Sequence, residues 1–217
     1  MEVKIIETAD GSSSLFVPGL NECYHSVHGA VQESMHVFIA AGLQSISKNS
    51  IRIFEMGYGT GLNFLLTYLN RGIHSIDYHA IDAFPLKDAV IKKLNYVQNL
   101  SLKPEEAELF ERFHQSEGRV LHHECFSWHK SKCTLENYEA QVKFDLIYFD
   151  AFAPAIQPEL WTIEVFEKLF AILNPGGILT TYCAKGQVRR NMQAAGFVTE
   201  RLPGPPGKFE MLRASHP

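Results

Sequence analysis

No apolar run in this chain approaches the ~20 residues needed to cross a bilayer. The first residues, Met1-Glu2-Val3-Lys4, lack the basic-then-apolar layout of a secretory signal. Cysteine is scarce: Cys23, Cys125, Cys133 and Cys183 lie far apart, and no two of them form a C-x-x-C. That spacing excludes a disulfide framework and predicts reduced thiols in a cytoplasmic protein. His25 and His28 have no acid or cysteine at ligand spacing, so no metal is expected. Repeats and Pro/Gly-rich linkers between domains are missing too, and 217 residues with 46% hydrophobic content predict one domain with a short extension. The net charge is only −4, which argues against a large nucleic-acid footprint. The balance is uneven, however. Residues 171–217 hold Lys185, Arg189, Arg190, Arg201, Lys208 and Arg213 against only Glu200 and Glu210, so a polyanion could dock on this end alone.

What is present centres on Ile51-Arg52-Ile53-Phe54-Glu55-Met56-Gly57-Tyr58-Gly59-Thr60-Gly61-Leu62-Asn63-Phe64. A short apolar run ends in an acid, glycines follow at every second position, and an apolar helical segment begins: strand, tight turn, helix. A dinucleotide fingerprint has its third glycine one place later. The pattern here, with Glu55 at the strand's end, suits a cationic, hydrogen-bond-donating ligand better than a pyrophosphate. S-adenosylmethionine (SAM) offers a sulfonium, an ammonium and a ribose diol. Asp82 ends a second alternating run, Ser75–Asp82, about where an α/β nucleotide fold places its ribose ligand. A glycine-rich turn with two surface acids is the plain alternative.

Along the rest of the chain, Lys4–Glu7 and Ser14–Val17 predict a strand pair around Asp10-Gly11, and Tyr24–Ile39 turns helical in its second half. Helices are expected over Thr60–Arg71, from Pro85 to about Leu100, over Pro104–His114 and Glu159–Leu173, and from Gln187 to Ala195. Further strands are expected at Gly118–Cys125, with Glu124 as another acid at a strand's end, at Phe144–Asp150 and at Ile178–Cys183. Asn174-Pro175-Gly176-Gly177 reads as a loop, and Phe197–Glu200 with Phe209–Arg213 as a closing hairpin. Strand–helix alternation predicts a doubly wound sheet whose ligand sits at the carboxyl ends of its strands. In that picture Glu55 and the glycine turn hold the amino-acid part of SAM, Asp82 the ribose, and Glu124 or its neighbouring backbone the adenine side. Asp150 precedes a proline-stiffened aromatic loop, Ala151–Pro158, and faces a methyl acceptor. For an amine acceptor Asp150 would orient the nitrogen and take its proton; otherwise it is a structural acid capping the next turn.

Glu55–Phe64 (EMGYGTGLNF), Phe149–Trp161 (FDAFAPAIQPELW), Val188–Phe197 (VRRNMQAAGF) and Lys208–Leu212 (KFEML) resemble the methyltransferase half of the bifunctional tRNA wobble-uridine enzyme MnmC and its free-standing counterpart, MnmD. The likeness runs from about Tyr24 to Leu212 and includes Tyr24-His25-Ser26 and Ile81-Asp82-Ala83-Phe84-Pro85-Leu86. It implies a Rossmann-like class I SAM-dependent methyltransferase fold, with a mostly parallel seven-stranded sheet and a C-terminal antiparallel hairpin. Residues 1–45 would be an extension capping the site and 46–217 the methyltransferase domain. The implied reaction is N-methylation of 5-aminomethyl(-2-thio)uridine at the tRNA wobble position. Glu55, Gly57, Tyr58, Gly59, Thr60, Gly61, Asn63, Asp82, Ala83, Phe84, Glu124, Tyr24 and Ser26 fall on the cofactor side. Asp150, Phe152, Pro154 and Trp161 fall on the active-site loop, with Phe152 and Trp161 placed to stack the uracil. Lys185, Arg189, Arg190 and Lys208 fall on a basic rim for the anticodon stem-loop. The chain departs from the family pattern at Phe209, where a second basic residue is usual, and at His123-Glu124, where Gly-Asp is usual. No FAD-dependent half is expected, so a separate enzyme would make the aminomethyl acceptor. Rival readings are a small-molecule amine or hydroxyl methyltransferase and a catalytically silent SAM- or nucleoside-binding partner subunit. A nicotinamide oxidoreductase fits the glycine spacing less well.

Overall fold

The computed structural model describes residues 2–217; Met1, which begins both the expected extension and the stretch read for a signal, lies outside them. The chain opens with a small antiparallel sheet of β1 (Lys4–Glu7), β2 (Ser13–Val17) and β3 (Glu22–Cys23). A helix, α1 (Ala30–Ser34), runs straight into a π-helical turn, Met35–Ala40, that buries Val37, Phe38 and Ile39.

The main sheet follows from two kinds of strand pattern. β8 (Phe144–Phe149) is a near-continuous apolar run, and β4 (Ser50–Met56) is buried throughout from Ile53 onward, as strands covered on both faces must be. β5 (Ser75–Ile81) and β7 (Phe126–Ser131) alternate more, and β9 (Leu173–Thr181) completes the parallel core. β6 (Gly118–His123) adds antiparallel to β7 at one edge, and β10 (Val198–Pro203) and β11 (Glu210–Ser215) form the antiparallel hairpin at the other. The order is β10-β11-β9-β8-β4-β5-β7-β6, eight strands rather than the seven expected. The strand absent from the sequence reading is β7. Gly118–Cys125, read from sequence as the third strand, is β6, which pairs antiparallel at the edge; the place beside β5 belongs to β7, its hairpin partner.

Helices cover both faces: α2 (Leu62–Asn70), the short α3 (Asp88–Ile91) and α4 (Tyr96–Asn99), α5 (Pro104–Gln115), α6 (Ile163–Ile172) and α7 (Gly186–Ala194). Residues 85–100 thus hold two short helices in place of the single one expected. Asn174-Pro175-Gly176-Gly177 is not a loop but the start of β9, with a register shift against β8 between Phe144 and Leu146 absorbing it. One apolar layer stacks Phe64 on Phe113 and edges Trp128 against them. The other gathers Phe54, Phe144, Phe149, Trp161 and Phe166.

β4 lies between β5, which follows it, and β8, which arrives later in the chain. Strand order reverses there, and α/β sheets bind ligands at the carboxyl side of such a switch point. Both the glycine turn after β4 and Asp150 after β8 stand at that crevice.

Candidate active site

The turn after β4 is built so that its backbone closes on Asp150. Gly57 has φ +85°, and a Cβ there would stand 2.8 Å from the Asp150 carbonyl oxygen. Only glycine meets both demands. We expect Gly57→Ala to cost about 1–3 kcal/mol of stability in urea unfolding and to weaken SAM binding at least about tenfold by calorimetry (one decade being ~1.4 kcal/mol). Unchanged affinity would remove this turn from the ligand site.

The turn's amides are largely engaged. Gly57 and Tyr58 N–H donate to the Ile81 carbonyl at 2.9 and 3.3 Å, Gly59 N–H to Asp82 Oδ2 at 3.0 Å and Gly61 N–H to the Tyr58 carbonyl at 2.7 Å. A pyrophosphate would need those donors free. Asp82 also accepts the Phe84 N–H through Oδ1 at 2.7 Å, so both its oxygens are anchored while keeping lone pairs for hydroxyl donors. Burial raises the Asp82 pKa, and the two backbone N–H bonds oppose that shift.

A cavity of about 940 Å³ runs from Asp82 to Asp150. It is lined by thirteen of the residues singled out from sequence: Tyr24, Ser26, Gly57, Tyr58, Gly59, Thr60, Asn63, Asp82, Ala83, Phe84, Asp150, Phe152 and Lys208. The other eight stand elsewhere. Glu55 is fully buried under the turn, where Oε1 accepts Asn63 Nδ2–H at 2.9 Å and Oε2 the Tyr78 hydroxyl at 2.8 Å. Burial pushes its pKa up to about 8, against the pull of those two bonds. Gly61 caps α2 against His114 rather than facing the cavity. Glu124 lies in the β6–β7 turn, at the amino end of β7 and so at the opposite edge of the sheet from the cavity. It does not reach the cavity; Cys133, Thr134 and Leu135, just past the carboxyl end of β7, line it instead. Trp161 is 3% exposed, edged against Phe149, and its Nε1–H donates to the Phe152 carbonyl at 2.9 Å. It braces the loop and offers no face to a base. Pro154 and Lys185 join Trp161 along a shallower groove between the loop and α7.

Asn63 ties the site together. The Nδ2 that bonds Glu55 also donates to Asp150 Oδ2 at 2.9 Å, and its Oδ1 is buried with no partner among the described residues. That orphaned acceptor beside the cavity is a place for an ammonium donor, and with the Asp82 oxygens it makes these residues fit SAM. Asp150 is half-buried on the cavity wall, and its desolvation there pushes its pKa up to about 7; Glu33 raises it further, and Asn63 and Lys208 pull against that. Tyr24 meets Phe152 edge-on at 5.2 Å, closing one wall. Tyr182 holds the other by donating to the Ala151 carbonyl at 2.8 Å.

The basic end is smaller than its charge count suggests. Arg201 pairs with Glu210 at 3.1 Å and Arg213 with Glu200 at 2.5 Å. Arg189 is half-buried against Thr199, and Lys208 is drawn inward to Glu33. Lys185 and Arg190 remain exposed. Glu33, Tyr182 and Cys133–Leu135 line the cavity although the sequence does not single them out. Tyr182 carries a signal in its place at the end of a buried strand; Glu33, in a helical stretch, carries none.

Residues 119–217 match the family described as S-adenosyl-L-methionine-dependent methyltransferase. The chain is 31% identical over 215 residues to the tRNA 5-methylaminomethyl-2-thiouridine biosynthesis bifunctional protein MnmC of Ralstonia nicotianae, covering 91% of this chain and 32% of that one. It is 30% identical to the protein of that name from Leptospira interrogans, over 90% of this chain and 33% of the relative. The chain therefore spans about a third of the length of the curated relatives it matches. The crystal structure of MNMC2 from Aquifex aeolicus superposes with a TM-score of 0.81 at 24% identity, over 99% of this chain and 70% of that one, and so shares the fold.

Proposed function

Since the chain belongs to the SAM-dependent methyltransferase family that includes the methyltransferase part of MnmC, we propose that it N-methylates 5-aminomethyl(-2-thio)uridine at the wobble position of tRNA. The observation that carries this reading is Asp150, a half-buried carboxylate at the cavity's acceptor end, held by Asn63 on one oxygen and, among the described residues, free on the other.

SAM supplies an electrophilic methyl group on a sulfonium. The chain's task is then alignment, dryness and proton removal. A primary amine arrives largely as ammonium, which has no lone pair. Asp150 takes that proton at Oδ1 while Oδ2 stays on Asn63, and a pKa near neutrality matches the task. Tyr24 and Phe152 keep water from the nitrogen, and Phe152 offers the ring for a uracil face. Asp82, Asn63 and the turn hold the ribose and amino-acid ends of SAM, and Phe84, 68% exposed, flanks the adenine side with Cys133–Leu135.

Lys185 and Arg190 carry the phosphate contacts. Changing both to Gln should weaken tRNA binding and flatten the slope of log affinity against log salt by about 2; an unchanged slope would move the docking surface off α7. A distinct activity must furnish the aminomethyl group, because methyl transfer does not build it. No helix among the described residues is long and apolar enough to cross a membrane, and a cytoplasmic setting accords with a tRNA acceptor. The test uses undermodified tRNA bearing aminomethyluridine, methyl-labelled SAM and nucleoside analysis. Label in the methylaminomethyl nucleoside is expected; label only on free amines would favour a small-molecule acceptor.

A further inference from the structure

The cavity wall carries an ion pair that joins α1 to the β10–β11 connection. Glu33, from α1, is 6% exposed and lines the cavity. Its Oε2 accepts the Ser26 N–H at 2.8 Å, and its Oε1 lies 2.5 Å from Lys208 Nζ, from the β10–β11 connection. The Lys208 ammonium sits 3.8 Å from the Tyr182 ring centroid, and the Tyr182 hydroxyl holds the carbonyl of Ala151, the residue after Asp150. Chain segments 175 residues apart thus meet on the wall of the cavity that Asp150 also lines. Desolvating two ions to make a salt bridge is weak reason, by stability alone, to keep it. A negative and a positive group fixed around the same cavity as a third, titrating one do have an effect: they shift it in opposite senses.

We propose that Glu33 and Lys208 are positioning residues that set the proton affinity of Asp150, Glu33 favouring its protonated form and Lys208 its carboxylate. The inference rests on Asp150 being the proton acceptor. In that step the acceptor's N–H bond breaks, its electron pair stays on nitrogen, and the proton passes to Asp150 Oδ1. The carboxylic acid must then lose it to solvent before the next turnover. Too high an affinity stalls that release, and too low an affinity leaves the ammonium intact. Both charges act on Asp150 in these senses, after burial itself. The remaining ionisable groups around it, Glu55 across Asn63 and the hydroxyls of Tyr78, Tyr96 and Tyr182, are left in place by changes at Glu33 or Lys208.

The test is a ¹³C NMR titration of the Asp150 carboxyl in the protein without donor or acceptor, for the wild type, Glu33→Gln and Lys208→Met. The midpoint should fall in Glu33→Gln and rise in Lys208→Met, each by at least roughly half a pH unit, and the double variant should return close to wild type. The acid limb of kcat/KM against pH should move the same way. Midpoints that stay put, or that move together, overturn the proposal even if activity falls. Should Glu33→Gln not fold, the Lys208→Met midpoint decides alone: an upward shift supports the pair and no shift refutes it. Since the titration needs no tRNA, a split titration without transfer to tRNA refutes the acceptor assignment and not the pair.

Discussion

Replacing Asp150 with Asn should lower the rate of methyl transfer by about 10²–10⁴-fold, the usual contribution of a positioned general base, while leaving SAM affinity within a few-fold. The geometry separates these outcomes. In Asp150→Asn the introduced amide can still accept the Asn63 Nδ2–H through its carbonyl, so the link from the glycine turn through Asn63 persists. What changes is the other atom. An N–H₂ replaces Oδ1, and a group that accepted the amine's proton now donates toward it. Single-turnover transfer at saturating SAM reads the chemical step, and calorimetry reads donor binding. A variant whose donor affinity collapses with its rate would show Asp150 to be part of the cofactor site. A variant that transfers within tenfold of wild type would show that another group takes the proton.

How far the sequence anticipates this site follows from where each signal resides. The β4–turn–α2 unit is legible because its constraints are local: an apolar run, glycines at alternate positions and a buried helix. β8 with Asp150 is legible for the same reason. β7 is not. Phe126-Ser127-Trp128-His129-Lys130-Ser131 mixes aromatics with polar groups, and two of those polar groups are placed by distant partners: Ser127 donates to Asp77, and Lys130 reaches the Phe113 carbonyl at 2.6 Å. Assigning the third parallel position to Gly118–Cys125 carries Glu124 to the wrong end of the sheet. Glu33 and Lys208 show the limit more sharply, because neither has a neighbour in sequence that hints at the other. Trp161 misleads for a different reason. An aromatic in an active-site loop has the same signature whether it faces the ligand or braces the loop from behind, and only its 3% exposure separates the two.

Glu55 should make the unliganded protein lose stability as pH rises through neutrality. Its native pKa of about 8 exceeds the ordinary 4.5, so the folded state holds the proton more tightly than the unfolded chain. That stabilisation is fully present below the unfolded value and disappears as pH climbs through about 8. Asp150, at about 7 against 3.8, adds a smaller loss of the same sign. His25 and His114 act oppositely: burial lowers them to about 4 and about 3, so their contribution is lost only as pH falls below 6.5. Lys130, lowered by burial to about 8, begins to restore stability only above that value. The window in which the carboxylates dominate is therefore pH 6.5 to 8. Across it the wild type should lose about 2 kcal/mol, a fall in Tm of roughly 4–8 °C for a chain of this size. Glu55→Gln keeps a carbonyl for the Asn63 Nδ2–H and removes the titration, so most of that slope should vanish. A wild-type Tm that is flat or rising between pH 6.5 and 8 would mean that Glu55 is ionised beneath the turn. It would then present a fixed negative charge to the sulfonium side of the cavity instead of a neutral acid.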